Sequence, residues 1–134
     1  MTVKALGLAG LISIALAVPA LAHHSFSMFD AEKTVTMTGT VKEFEWTNPH
    51  SWLRVMVQDQ ATGKDMQWAL EMGSPGQQAR VGWKPDSVKP GDKVTVTIHP
   101  LKDGSRGGQF MSAVLPSGQK LGNGGQRNNP LGNE

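Results

Sequence analysis

The sequence predicts an all-β domain with one short helix, arranged as a five-stranded, partly open OB-like barrel. Three observations point there. Five segments alternate apolar and polar residues with the period of a strand. A single helix signature falls between the third and the fourth of them. The chain also carries 16 Gly and 8 Pro in 134 residues, a supply of turns that suits short strands better than a helical bundle. A small β-sandwich built from the same strands is the alternative architecture.

Residues 1–22 precede the domain and read as a signal peptide. Lys4 gives a cationic start, and Ala5 to Val18 is an uncharged apolar run. Pro19 and the Ala20-Leu21-Ala22 cleavage signal follow it. The run is shorter than the ~20 residues of a membrane span. The expectation is therefore a secreted, periplasmic protein cut after Ala22, with no membrane span once the signal is removed. Residues 23–33 form an N-terminal arm, which Phe26 and Phe29 are placed to pin to the barrel.

The barrel is expected over residues 34–116. In the first strand, Thr34 to Thr47, the residues Val35, Met37, Gly39 and Val41 share one parity while Phe44 and Trp46 take the other. A parity switch beside a glycine implies a bulge or a sharp bend. Asn48-Pro49 closes the strand, because proline has no N–H to give to a ladder. Ser51 to Gln58 is the second strand, with Leu53, Val55 and Val57 inward. Asp59 to Gly63 is a turn. Lys64 to Met72 is the third strand, with Met66, Trp68 and Leu70 on one face.

Ser74, Pro75 and Gln77 then spell an N-cap, a first helical residue and a capping-box partner. The helix should run over 75–81 with Gly82 as its stop, and Trp83 should fold back onto the core. Pro90-Gly91-Asp92 turns the chain into a fourth strand, Lys93 to His99, with Val94, Val96 and Ile98 inward. Gln109 to Leu115 is the fifth. Residues 117–134, rich in Gly and Asn, are expected to form a disordered tail.

Composition excludes several functions. The chain has no Cys, so disulfides, thiolate metal sites and thiol catalysis are absent. A net charge of +2 without a dense Lys/Arg stripe argues against nucleic acid as a partner. No Gly-x-Ser-x-Gly, His-Glu-x-x-His or P-loop occurs. Glu43, Glu45 and Glu71 sit at ordinary solvated strand positions and receive no catalytic role. The reading favours a binding module over an enzyme.

Chemistry concentrates in four histidines: His23, His24, His50 and His99. Cleavage after Ala22 would make His23 the first residue, so its free α-amine and imidazole would chelate one ion together. A third nitrogen from His50 or His99 would suit copper, Cu(II) by ligand type. Met28, Met37, Met56, Met66, Met72 and Met111 are soft donors in principle, although Met37 and Met66 read better as core. The bland counterpart is a set of structural histidines: a polar arm, a turn cap at His50 and a solvated strand end at His99.

A second hypothesis needs no metal. Trp46 and Trp52 flank Asn48 and His50, and the four residues would line a barrel rim for a small organic ligand or a periplasmic protein partner. Trp68 reads as core.

Several motifs occur together: His23-His-Ser-Phe26, Thr38-Gly-Thr-Val41, Thr47-Asn-Pro-His-Ser-Trp52 and Pro90-Gly-Asp-Lys-Val94. With Met28-Phe-Asp30, Glu71-Met72 and Gly82-Trp83 they resemble an uncharacterised family of small secreted bacterial proteins, carried as a domain of unknown function. The resemblance implies a periplasmic barrel and brings no activity, ligand or site residue with it.

Overall fold

The computed structural model describes residues 28–125. The signal-peptide reading of residues 1–22, His23, His24 and the last nine residues of the expected tail lie outside them. Strand β1 runs Val35–Glu45, β2 Trp52–Gln58, β3 Asp65–Glu71, helix α1 Pro75–Arg80, β4 Lys93–Pro100, β5 Gly107–Val114 and β6 Lys120–Gly122.

The strands close on themselves. β1 pairs antiparallel with β2 and with β4, β2 with β3, and β4 with β5. A short parallel pairing of β3 with β5, Ala69–Glu71 against Gly107–Gln109, completes the circuit. This is the OB-like barrel rather than the sandwich: two separate sheets would leave β3 and β5 unpaired.

Alternation does what the sequence implies. Leu53, Val55, Leu70, Val94, Val96, Ile98 and Phe110 point inward and are buried. Removing such side chains from water is the main driving force of the fold. The parity switch in β1 is a bulge: the β1–β2 register slips between Val41 and Glu43, which turns Phe44 toward the core. Gly39 marks the bend. A Cβ there would lie 2.5 Å from the Met56 carbonyl oxygen, so only glycine lets β1 approach β2 so closely.

Helix α1 follows β3, and its buried Gln78 ties it to the segment after β6. Ser74 Oγ accepts from Gln77 N, and Gln77 Oε1 accepts from Ser74 N, the reciprocal box that the sequence predicts. Gly82 follows the helix at φ +99° and lets Trp83 return to the core. The Trp83 ring sits 5.5 Å from Phe44 and 5.6 Å from Phe110, and its Nε1–H donates to Gly122 O at 2.8 Å.

The tail departs from expectation. Lys120–Gly122 forms β6 against β5, and Leu121 and Asn123 are buried. Low hydropathy suggested disorder from residue 117 onward. Residues 120–123 are instead held by the β5 pairing and by polar contacts remote in sequence. Asn123 Oδ1 accepts from Gly73 N and Gln78 Nε2, and its Nδ2 donates to Phe110 O. These bonds satisfy polar groups that burial would otherwise leave costly.

Candidate functional site

Pairing across the closed seam sets four outward residues in a row. Trp52 on β2 faces Glu71 on β3, Glu71 faces Gln109 on β5, and Gln109 faces His99 on β4. Directly paired residues project to the same face of a sheet. The row therefore lies on the outside of the barrel, across its parallel seam.

The N-terminal arm crosses this face. Phe29 bridges Leu101, Asp30 N donates to Pro100 O, and Lys102 N donates to Met28 O. Phe29 is buried, as expected for a residue that pins the arm. Beside it Asp30 pairs with Lys33 at 3.0 Å. The hydrogen bond from Lys33 holds the Asp30 carboxyl below the usual carboxylate range.

Two adjoining clefts flank Phe29. One, of about 100 Å³, is lined by His50, Glu71, Met72, Gly73, Gln109 and Asn123. The other, of about 130 Å³ and mostly apolar, is lined by Met28, Trp52, Leu101, Arg106 and Gly107. Phe29 and Glu71 border both.

His50 is held from behind. Its Nδ1 lies 3.0 Å from the Met72 carbonyl oxygen, which can only accept, so Nδ1 carries a hydrogen. The other face of the ring presents Nε2 at 3.5 Å from Glu71 Oε1. A backbone carbonyl on Nδ1 is the arrangement that aims an imidazole Nε2 at a metal. The Met72–Gly73 peptide is itself fixed at both ends, its oxygen by His50 and its N–H by Asn123.

The other expected donors are placed differently. His99 Nδ1 donates to Lys33 O at 2.7 Å, and Gln109 stands between His99 and Glu71 in the row. Two strand spacings, about 10 Å, separate those backbones. Among the described residues no group of three or more His, Asp or Glu side chains converges closely enough to hold a metal. Met72 is core, whereas Met28 is exposed at the apolar cleft.

The tryptophan rim is divided. Trp46 packs inward, its ring 5.7 Å from Phe44. Trp52 faces outward, with the Arg54 guanidinium 5.8 Å from its ring centre. Arg54 also donates to Glu45 at 2.6 Å. Asn48 is exposed at the turn and lines neither cleft, while Thr47 Oγ1 donates to His50 O. Sequence reading passed over Glu71 because nothing in one strand shows what lies across from its end.

These features define a small β-barrel with His50 and Glu71 side by side on its outer face, between the β1–β2 loop and the β4–β5 loop. The chain belongs to DUF6152, a family of unknown function whose model matches residues 11–110. No curated protein and no solved structure matches it. Among the described residues no helix is long and apolar enough to cross a membrane.

Proposed function

We propose that the chain is a periplasmic metal-binding module, with copper the favoured ion. His50 Nε2 and Glu71 supply two donors, and the arm supplies the rest. One observation carries the reading. An imidazole whose Nδ1–H is committed to a backbone carbonyl turns Nε2 toward a carboxylate, inside a cleft bordered by the root of the N-terminal arm. His23 and His24 lie five and four positions before Met28. An extended chain of that length reaches at most about 17 Å. After cleavage behind Ala22, the α-amine and imidazole of His23 would join His50 and Glu71 to give a mixed nitrogen and oxygen set suited to Cu(II). His24 is the spare donor and His99 the more distant one.

Size supports an ion over a larger ligand. Sites for drug-sized molecules measure roughly 300–1,000 Å³. The two clefts, at about 100 and 130 Å³, suit an ion with its water. Calorimetric titration of Cu(II) into mature protein beginning at His23 should show one tight site. One extra N-terminal residue, or His50→Ala, should weaken it at least about tenfold. Equal uptake by all three proteins would overturn the proposal.

A second reading rests on the apolar cleft at Trp52, which would accept one apolar group of an organic ligand or of a protein partner. It requires a tryptophan fluorescence change on adding indole that survives chelator and disappears in Trp52→Ala.

A further inference from the structure

The barrel has a fork that no strand fills among the described residues. β1 pairs with β4 along Val35–Thr40, but its pairing with β2 begins only at Thr40↔Met56. β2 runs on to Gln58 paired with β3 alone. From Gly39 outward the two strands diverge, and an open groove of about 620 Å³ lies between them. Consecutive residues line it on both sides, Thr36 to Thr40 and Met56 to Gln58, as expected where strand edges rather than strand faces form the walls.

The direction of the edge groups follows from the ladder. Val41 N donates to Asp92 O, so Val41 bonds toward β4. The β1–β4 register has no slip between Val35 and Thr40. Antiparallel strands alternate the side on which each residue bonds. Val35, Met37 and Gly39 therefore bond toward β4, and the N–H and C=O of Thr36 and Thr38 point into the groove. Gln58, two residues beyond Met56, points its own from the other wall. Met37 and Val57 are half-buried and give an apolar floor. Thr36 and Thr38 hydroxyls are paired with Thr97 and Thr95 on the outer face.

Exposed edges are normally guarded by charge or proline, because they recruit other strands. Val35 to Val41 contains neither, and the two charged residues of the groove, Asp65 and Lys93, come from β3 and β4. We propose that this edge is a docking site for an extended peptide segment of a partner protein, added alongside Val35–Gly39 as an extra strand. Main-chain bonds to Thr36 and Thr38 would hold it, and an apolar side chain would seat on Met37 and Val57. The segment would be uncharged at its centre and would alternate apolar with hydroxyl residues. This site lies apart from the His50 cleft and does not depend on it.

The test uses the mature protein and a capped pentapeptide, Thr-Val-Thr-Ile-Thr, as probe. Amide hydrogen exchange at Thr36 and Thr38 should slow about tenfold when the peptide is added, while Met37, already bonded to β4, stays unchanged. Two N-methylated isomers, blocked at residues 2 and 4 or at residues 1, 3 and 5, should differ, since only one set of amides faces β1. Thr38→Pro, which removes a groove-facing N–H, should abolish the effect. Equal behaviour of the two isomers overturns the proposal. So does slow exchange at Thr36 and Thr38 before any peptide is added, which would mean that the chain's own segments or a second copy cover the edge.

Discussion

The barrel has two forks, and they are treated in opposite ways. At the first, β3 and β5 pair over three residues and part. β6 then takes the edge of β5 from Ser112 to Val114, and Phe29 covers the neighbouring outer face. At the second, β1 and β2 part beyond Gly39 and no described segment enters. The first fork is sealed by a strand, an aromatic ring and a buried amide network. The second leaves the edge of Thr36 and Thr38 without a strand partner among the described residues. The fold spends a whole strand on one edge and, among the described residues, leaves the other without one.

The sealed fork should be the more fragile to substitution. A Cβ on Gly108 would meet the His99 carbonyl oxygen at 2.5 Å and Ile98 Cδ1 at 2.8 Å. Gly108→Val should therefore cost about 4 kcal/mol or abolish folding, read as the midpoint of urea unfolding. Phe29→Ala should cost about 3 kcal/mol by unpinning the arm. The open fork should be tolerant by comparison: Thr36→Ser, at an exposed edge, should change stability by less than about 0.5 kcal/mol.

Much of the sealed core is legible in the sequence, because its signals are local. Val94, Val96 and Ile98 alternate, Ser74 and Gln77 form their box, and the parity switch around Gly39 announces the bulge found between Val41 and Glu43. β6 and Asn123 were hidden because their partners, Gly73, Gln78 and Phe110, are remote along the chain. A Gly/Asn-rich segment carries no hydrophobic period of its own. The candidate site was half visible. His50 stands out as a residue type, but Glu71 becomes its neighbour only through the β2–β3 register and the turn of the β1–β2 loop. The division of Trp46 from Trp52 has the same origin, since the two face opposite sides of the sheet.

Two smaller effects sharpen the contrast further. Ser51 Oγ is buried and has no hydrogen-bond partner among the described residues, so Ser51→Ala should leave stability unchanged or raise it by up to about 1 kcal/mol. Asp30, beside the sealed fork, has its carboxyl lowered by Lys33. A lowered folded value means that its contribution is present above the ordinary carboxylate range and is lost as pH falls through the folded value. Asp30→Asn should therefore lower stability slightly at neutral pH and make no difference below the folded value, so that the acid limb of the unfolding curve flattens slightly.

The metal reading stands most directly on which imidazole receives the ion. Substoichiometric Cu(II) added to isotope-labelled mature protein broadens the NMR signals nearest the bound ion. The account predicts early loss of the His50 ring and Glu71 signals, with His99 persisting. Loss at His99 first, or uniform fading across the barrel, would contradict it.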